Sequence, residues 1–375
     1  MNASMNITHI VENLNRGGLE RVVLDLVKLQ QQQGHRCQVV CVFERGALAQ
    51  ELDAANIPVH ACGKRRGLDL GALSRVRQLI RAHRTEVLHS HNATAHYLAV
   101  LASLGLGVGK VINTRHGMGG MQRWNRAEML YRASLACTDA VAMVCAAACD
   151  GALEHRLVPR RKLRVVPNGL RVQEFAVASP AARVRLRQAL GLPPEARVVG
   201  TVGRLNWAKD QVSLIRAFSR VRAALPDSML VLIGGGTLRR ELEACAREEG
   251  VAGAVRFLGE RDDVRELLQG LDVFVLSSVS EGYSMALLEA SATALPIVAT
   301  DVGGNREIVR HGTTGAIVPA RDVESLAQAI LGLLRNPEHA ARLGAAARAM
   351  MEAGGSLEAM ALRYAALYEA GSPRA

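Results

Sequence analysis

Short apolar runs alternate with segments of helical spacing along the first half of the chain. The runs begin at Ile7 and continue at 37–43, 58–62, 86–89, 111–114, 140–145 and 163–166. After the first run, Leu19, Val22 and Val23 begin a series that recurs on one helix face. Repeated alternation of strand and helix predicts a parallel, doubly wound sheet with helices on both faces.

A second alternating series follows an interruption rich in proline and arginine. Its predicted strands lie at 198–202, 229–233, 255–258, 271–276, 297–299 and 316–318. A chain of 375 residues exceeds what one hydrophobic core usually supports. We therefore predict an α/β protein with two Rossmann-like domains, residues 1–170 and 197–355, joined by a linker at 171–196.

The end of the chain carries an apolar stripe at helical spacing. The stripe consists of Leu357, Met360, Tyr364, Leu367 and Tyr368. Such a stripe must be covered by another part of the protein. We predict that the segment 356–370 is a helix that crosses back onto the first domain.

The stretch 277–307 carries the densest group of candidate site residues. The apolar strand before it runs into Glu281-Gly282, and the helix that follows contains Glu289. A strand, turn and helix in this order place free backbone N–H groups at the carboxyl edge of a sheet, where anions bind. Because ionised carboxylates accept hydrogen bonds, Glu281 in the loop and Glu289 in the helix suit the hydroxyls of one elongated ligand. The alternative is a capped helix with two solvated acids.

Gly203, Arg204 and Lys209 follow the first strand of the second series. A guanidinium and an ammonium at such a turn suit a diphosphate. The alternative is a solvated loop pair. Two glycine clusters, Gly17-Gly18 and 234–236, would allow a ligand close to the backbone, but neither has the spacing of a dinucleotide or Walker motif.

Histidines cluster in the first half of the chain. His116 follows a predicted strand and is our candidate imidazole in the site. His89, His91 and His96 have a spacing that could suggest a metal, but no matching carboxylate is nearby, which favours structural or acceptor-side roles. The chain has no Asp-x-Asp triplet. We predict that it binds no metal.

The positive charge is concentrated in the first half of the chain. The net charge is +11, and residues 1–170 contain 22 lysines and arginines against 12 acids, whereas residues 171–375 contain 24 against 23. The segment 64–66, with Arg75, Arg77, Arg81 and Arg84, forms a basic amphipathic region. Such a region either touches anionic lipid or is a solvated face. With 3% aromatic residues, the chain lacks material for stacking nucleic-acid bases, so we predict no nucleic-acid partner.

The composition and the chain start predict a cytoplasmic protein. No window approaches the ~18 uninterrupted apolar residues of a spanning helix. The first residues, MNASMNITHI, lack a basic segment followed by an apolar one. The seven cysteines include no Cys-x-x-Cys pair, as is typical of a reducing compartment. Peripheral contact with the inner face of the cytoplasmic membrane is a further hypothesis from the basic region.

Several motifs together identify a family. They are RGGLE at 16–20, VPNG at 166–169, GRL with its lysine at 203–209, IGGGTLRRELE at 233–243, FLGERDDVRELL at 257–268, the stretch from 277 to 309, and TGAIVP at 314–319. In these motifs the chain resembles the retaining GT-B glycosyltransferases of the glycogen-synthase-like family four. The resemblance covers most of the chain and implies two domains that face a central cleft.

The resemblance also implies roles for individual residues. It implies that Glu281 contacts the donor sugar, that Glu289 contacts the ribose hydroxyls, and that the diphosphate meets two cations. The residues implied in catalysis are His116, Arg204, Lys209 and Glu281. The residues implied in donor binding are Gly17, Gly18, Gly203, Arg204, Lys209, Gly235, Gly282, Tyr283, Ser284 and Glu289.

The implied function is transfer of a sugar from a nucleotide sugar, with retention of configuration, to an anionic cell-surface glycan or lipid-linked acceptor. Lipopolysaccharide, capsule and exopolysaccharide synthesis are the implied settings, with no cofactor besides the nucleotide sugar. No carboxylate is evidently placed as a nucleophile, so we expect departure and attack on the same face of the sugar. One alternative is a nucleotide-sugar epimerase or hydrolase with the same fold. A non-enzyme alternative is a basic polyanion-binding protein.

Overall fold

The computed structural model describes residues 4–67, 69–117 and 126–370. The chain divides into two compact units. The first domain contains the residues up to Leu170 together with those from Leu357 onward, and the second contains Arg171–Ser356. No helix among the described residues is long and apolar enough to cross a membrane.

The first domain is built on a sheet of seven strands in the order β3-β2-β1-β4-β5-β6-β7, and all neighbouring strands are parallel. Its strands are β1 (Asn6–Val11), β2 (Arg36–Cys41), β3 (Val59–Ala61), β4 (Val87–His91), β5 (Lys110–Arg115), β6 (Ala140–Met143) and β7 (Leu163–Val165). Its first six helices are α1 (Gly18–Gln32), α2 (Ala49–Asp53), α3 (Leu70–Ala82), α4 (Asn92–Ser103), α5 (Arg126–Ser134) and α6 (Ala146–Glu154). The order reverses between β1 and β4, and ligands of such sheets bind at the carboxyl ends beside this point.

The second domain repeats the plan with six parallel strands in the order β10-β9-β8-β11-β12-β13. Its strands are β8 (Arg197–Val202), β9 (Ser228–Ile233), β10 (Val255–Gly259), β11 (Val273–Leu276), β12 (Ile297–Thr300) and β13 (Ala316–Val318). Its helices are α7 (Pro180–Ala189), α8 (Gln211–Ala224), α9 (Arg239–Glu248), α10 (Val264–Gln269), α11 (Met285–Ala292), α12 (Asn305–Ile308), α13 (Val323–Arg335) and α14 (Pro337–Gly354). The predicted doubly wound α/β architecture is confirmed in both domains.

Residues 171–196, which the sequence marks as a connection, pack as part of the second domain. Ser179 caps α7 by accepting a hydrogen bond from the amide of Ala182, and Pro180 occupies the first helical position. Arg187 of this helix donates to Asp272 at 2.5 Å. A side chain at Gly270 would overlap Leu186, since its Cβ would lie 2.4 Å from that of the leucine. The segment is therefore fixed against the loop that leads into β11.

The last helix, α15 (Leu357–Glu369), belongs to the first domain, as the apolar stripe predicts. Leu357, Met360, Tyr364 and Tyr368 are buried, and Leu367 is partly exposed. The amide of Leu357 donates to the carbonyl of Leu170 at 2.9 Å. The tyrosine hydroxyls bond to buried side chains of the sheet: that of Tyr368 contacts His89 on β4, and that of Tyr364 contacts Thr114 on β5.

Three histidines meet in the interior of the first domain, at the carboxyl halves of β1 and β4. His9, His89 and His91 are at most 2% exposed. Burial lowers the pKa of His9 to about 4 and lowers the pKa values of His89 and His91 well below their usual range. His96 lies apart from them, bonded to Ser90 and Thr138, and burial lowers its pKa to about 3. These rings are therefore neutral at pH 7.

The packing of α15 yields a test of its contribution to stability. Met360 is 0% exposed, whereas Leu362 on the same helix is 72% exposed. We expect Met360→Ala to lower the free energy of unfolding by about 2–5 kcal/mol, because it leaves a cavity in the first domain. Leu362→Ala should change it by less than about 0.5 kcal/mol. Urea unfolding of the two variants measures both values, and equal effects would contradict the described packing.

The buried histidines yield a pH prediction. Their pKa values lie below the ~6.5 of an unfolded chain, so between the two values the unfolded state binds more protons than the folded state. The contribution of these neutral rings to the free energy of unfolding is therefore complete above about pH 6.5. It decreases as the pH falls below that value, by up to about 1.4 kcal/mol per pH unit for each such ring. Hydrogen exchange of β4 amides between pH 8 and 5 measures this slope in the first domain alone. His96→Gln should make the slope shallower, and a slope unchanged by that substitution would contradict the assignment.

Candidate active site

The carboxyl ends of β8 and β9 meet through their backbones. The amide of Leu205 donates to the carbonyl of Gly235 at 2.8 Å, and the amide of Leu238 donates to that of Leu205 at 3.1 Å. A Cβ on Gly234 would lie 2.1 Å from the carbonyl oxygen of Gly203, and Gly234 has a φ of +137°. Only glycine fits there. The contact between the two loops therefore requires glycine at position 234.

Lys209 and Glu281 form an ion pair at the carboxyl edge of the second sheet. The Lys209 Nζ lies 2.5 Å from Glu281 Oε1, and the hydroxyl of Ser278 donates to the same oxygen at 2.6 Å. The lysine and glutamate side chains are 20% and 10% exposed. The structure thus brings together two residues that the sequence assigned to different parts of the ligand. Lysine has three N–H donors, so Nζ can hold Glu281 and a phosphate oxygen together.

Backbone contacts fix the two loops that carry this pair. Asn206 caps the short turn at Trp207–Lys209, with its Oδ1 accepting from the amide of Lys209 at 3.3 Å. The hydroxyl of Ser277 donates to the carbonyl of Lys209 at 2.9 Å. The amide of Val279 donates to the carbonyl of Ala208 at 2.8 Å. The loops after β8 and β11 therefore hold one another, which sets the position of the ammonium group.

Gly203 and Arg204 stand beside Lys209 in the same loop. A Cβ on Gly203 would lie 3.2 Å from Cε of Lys209, so the lysine stem passes over this glycine. The carbonyl of Arg204 accepts from Gln211 Nε2 at 3.0 Å, while its side chain is exposed. Within the described part of the chain, no acid forms an ion pair with Arg204. Its guanidinium is thus available to an anion.

The start of α11 supplies further ligand-binding groups. The helix begins at Met285, after Glu281, as the sequence predicts, and Glu289 lies on it, partly exposed. Ser284 is the N-cap, but its side chain makes no capping bond, and its Oγ is buried without a partner among the described residues. The first N–H groups of a helix also lack partners within it. A buried hydroxyl beside the first amides of a helix suits an anionic oxygen.

The loop after β12 presses on the segment that contains Glu281. A Cβ on Gly303 would lie 1.9 Å from the carbonyl oxygen of Glu281, and Gly303 has a φ of +52°. The amide of Gly304 donates to the carbonyl of Gly282 at 2.8 Å. Tyr283 and Ser284 follow directly. The glycine pair 303–304 therefore orients the turn that leads into α11.

The candidate residues of the first domain lie at the carboxyl ends of β1 and β5. Gly17 is the N-cap of α1, which begins at Gly18, and a Cβ on Gly17 would lie 2.3 Å from Oε2 of Glu20. His116 follows β5, and its amide donates to Oδ1 of Asn92 at 3.2 Å. Both positions are thus at the edge of the sheet where ligands of this fold bind.

One ring nitrogen of His116 has a hydrogen-bond partner among the described residues, and the other has none. Its Nε2 lies 3.0 Å from Nδ1 of His91. The residue as a whole is partly exposed, but Nδ1 is buried, and no described residue provides it with a hydrogen-bond partner. Burial lowers the pKa of His116 to about 3, so the ring is neutral at pH 7. A neutral ring with an unpaired nitrogen can bind a hydroxyl.

Sequence reasoning missed the residues that hold the site residues in place. Asn206 and Ser278 fix Lys209 and Glu281, and His9 lies behind His91. Asn206 could have been found as a capping residue, because it precedes the short turn by one position. His9 carried no signal, since a histidine inside a strand pattern does not reveal its neighbour on the next strand.

Two family models match the chain side by side. The model described as Glycosyltransferase Family 4 matches residues 16–174, and the model described as Glycosyl transferases group 1 matches residues 183–350. The first match lies in the first domain apart from its last residues, and the second lies in the second domain. The boundary between the two matches thus falls close to the boundary between the domains.

Individual proteins agree with these models. The chain is 25% identical over 341 residues, 88% of both chains, to the Escherichia coli UDP-Gal:alpha-D-GlcNAc-diphosphoundecaprenol alpha-1,3-galactosyltransferase. It is 36% identical over 201 residues to the Mycolicibacterium smegmatis GDP-mannose-dependent alpha-(1-6)-phosphatidylinositol monomannoside mannosyltransferase, covering about half of each chain (51% and 52%).

A solved structure shares the fold. The structure of Anabaena Alr3699/HepE in complex with UDP and glucose superposes with a TM-score of 0.87 at 22% identity, over 98% of this chain and all (100%) of the other. The expected GT-B fold is thereby confirmed. From the two adjoining family matches and this fold, the chain belongs to the nucleotide-sugar-dependent glycosyltransferases of family four.

Proposed function

We propose that this enzyme transfers a hexose from a nucleoside diphosphate sugar, with retention of configuration, to a phosphate-bearing glycolipid or cell-surface glycan. The observation that carries the proposal is the group at the carboxyl edge of the second sheet. There Lys209 pairs with Glu281, Arg204 is exposed beside them, and the hydroxyl of Ser284 is buried without a partner in the described chain. Two cations and free donors suit a diphosphate.

We assign donor binding to the second domain. Arg204 and Lys209 bind the diphosphate, together with the hydroxyl of Ser284 and the first amides of α11. Glu289 accepts from the ribose hydroxyls. Glu281 holds Lys209 in place and accepts from a hydroxyl of the donor sugar. Gly203, Gly235, Gly282 and Tyr283 form the surrounding loops.

We assign the acceptor side to the first domain, residues 1–170 with the last helix. From the same domain, His116 offers its unpaired Nδ1 to a sugar hydroxyl in the catalytic step, and Gly17 and Gly18 let the donor approach the start of α1. Such assignments are supported by the position of these residues at the carboxyl edge of the first sheet.

The chemistry follows from where charge develops. The bond between the anomeric carbon and the diphosphate oxygen breaks, and the departing nucleoside diphosphate gains negative charge. Cations and amides aimed at that charge stabilise the transition state. The acceptor oxygen attacks the same face of the sugar, and its proton passes to the departing phosphate oxygen. No covalent intermediate with the enzyme forms, and Arg204 and Lys209 supply the positive charge without a divalent ion.

The competing hypotheses predict different products. A hydrolase would release nucleoside diphosphate without any acceptor, and an epimerase would convert the donor into its epimer without net release of nucleoside diphosphate. A transferase releases it in proportion to the acceptor consumed. A polyanion-binding protein would have no need of Glu289. Family membership favours the transferase.

Removal of the cations tests the donor site. We expect Arg204→Ala and Lys209→Ala each to lower kcat by about 10²–10³, because each removes a donor aimed at the leaving diphosphate. The control is Arg185→Ala, which removes an exposed arginine from α7. Acceptor-dependent release of nucleoside diphosphate is measured with UDP-, GDP- and ADP-sugars, with and without EDTA. Full activity of both site variants would contradict the assignment.

The acceptor class is argued from charge and from the relatives. The first 170 residues carry a net charge of 22 − 12 = +10. Arg75 and Arg77 of α3 donate to backbone carbonyls, Arg75 to that of Cys62 and Arg77 to those of Ala102 and Leu104, whereas Arg65 and Arg66 are exposed. The E. coli and M. smegmatis relatives are named for acceptors that carry a lipid and phosphate. A basic surface attracts such acceptors and the anionic membrane that holds them.

Vesicle binding tests this proposal. We expect salt-dependent binding to vesicles that contain anionic lipid, and Arg65→Glu with Arg66→Glu should weaken it about 30-fold or more, at about 1 kcal/mol per basic residue. The control with the same change of charge is Arg335→Glu with Arg342→Glu in the second domain, both exposed. Co-sedimentation at low and high salt measures the binding. Equal weakening by both pairs would show that only net charge matters.

A further inference from the structure

A continuous row of hydrogen-bonded side chains runs from His116 to the C-terminal helix. Consecutive members lie between 2.8 and 3.1 Å apart: His116 Nε2 to His91 Nδ1, His91 Nε2 to His9 Nδ1, His9 Nε2 to Gln30 Oε1, Gln30 Nε2 to the hydroxyl of Tyr368, and that hydroxyl to His89 Nδ1. His89 Nε2 continues the row to Thr114. All members except His116 are buried.

The direction of one bond in this row determines the direction of the others. A neutral imidazole has one N–H donor and one acceptor nitrogen. If a ring accepts at Nδ1, it must donate at Nε2, so neighbouring rings bonded in series share one direction. Low pKa values keep these rings neutral at pH 7. The proton position on His116 is thus coupled to the far end of the row.

Gln30 is the member that gives the row a direction. Its carbonyl oxygen faces His9 Nε2 at 2.8 Å, and its amide nitrogen faces the hydroxyl of Tyr368 at 3.1 Å. With the amide in this orientation, His9 donates from Nε2 and accepts at Nδ1. By the same rule His91 donates from Nε2 to His9, and His116 donates from Nε2 to His91. Nδ1 of His116 is left with a lone pair.

We propose that Gln30 is a positioning residue that holds His116 as its Nε2–H tautomer, so that Nδ1 presents a lone pair to a hydroxyl of the bound sugar. This inference rests on the role assigned to His116 in the proposed function. Its physical basis is that Nδ1 is buried and has no partner among the described residues, although every other ring nitrogen in the row is bonded. A buried acceptor left unpaired is costly, and a ligand hydroxyl removes that cost.

A metal site is the other chemistry that this cluster suggests. One ligand atom from each of His9, His89 and His91 lies within 4.8 Å of the others. However, all six ring nitrogens of these residues already contact protein partners. A metal ion would have to replace several of those hydrogen bonds. Metal binding is therefore an outcome that the experiment must exclude.

The experiment compares two buried glutamines that are replaced by an amino acid of similar length. Gln30→Met removes the group that directs the row. Gln38→Met is the control, because Gln38 is 3% exposed in the same domain but bonds to Thr8 and Leu79 outside the row. Protein labelled with ¹⁵N in histidine is studied by long-range ¹H–¹⁵N NMR near pH 7.5. Loss of signals in His116→Asn assigns that ring.

We expect the wild type and Gln38→Met to show one His116 tautomer, protonated at Nε2. Gln30→Met should show a mixture, and kcat should fall in proportion to the fraction of the Nε2–H form lost, so an equal mixture halves kcat. The proposal is overturned if Gln30→Met keeps the single tautomer, if the wild type is protonated at Nδ1, or if one equivalent of zinc binds and shifts His9 and His91.

The NMR result is independent of the proposed function. If His116→Asn leaves transfer unchanged while Gln30→Met still mixes the tautomers, the coupling stands and the role of His116 in catalysis fails. If transfer depends on His116 but Gln30→Met keeps one tautomer, the function stands and the positioning role of Gln30 fails.

Discussion

Parallel strand order is the constraint on which this structure depends. Because every strand of a parallel sheet ends at the same edge, loops far apart in sequence converge there. Lys209 and Glu281 are separated by 72 positions along the chain, yet their side chains meet at 2.5 Å. The loops after β8 and β11 are neighbours only because these two strands lie side by side in the sheet. The close approach of the two charged groups thus follows from the order of the strands in the sheet.

The main effect of the ion pair at that edge is to fix the position of the Lys209 ammonium group. Both charges are largely removed from water, which costs free energy that their attraction only partly returns. The benefit lies in what the pair fixes: Glu281 and the turn capped by Asn206 hold the ammonium group where the backbone loops meet. An ammonium group already in place would lose little conformational entropy on binding a phosphate, which is the role we propose for Lys209. The same logic explains Gly303, which brings a neighbouring loop against the carbonyl of Glu281.

The sequence predicted the architecture well because the signals of this fold are local. Apolar runs bounded by turns gave every strand within a few residues, and the stripe of Leu357, Met360 and Tyr364 gave the last helix its partner domain. The order of residues around β11 separated the loop acid from the helix acid. Contacts between strands could not be predicted, because the periodicity of one strand does not reveal that His9 lies opposite His89. The packing of the segment 171–196 against the second domain could not be predicted either, because the hydrogen bond between Arg187 and Asp272 is a tertiary contact.

The buried polar side chains of the first domain depend on the last helix for some of their hydrogen bonds. Polar rings buried between β1 and β4 are tolerated only if their nitrogens are bonded, since an unpaired buried donor or acceptor costs about 1–3 kcal/mol. Tyr368 bonds to both His89 and Gln30, and Tyr364 bonds to Thr114, which in turn bonds to His89. The last helix therefore completes a polar network as well as covering apolar surface. A chain that crosses back to its first domain thereby sets conditions inside the sheet that carries His116.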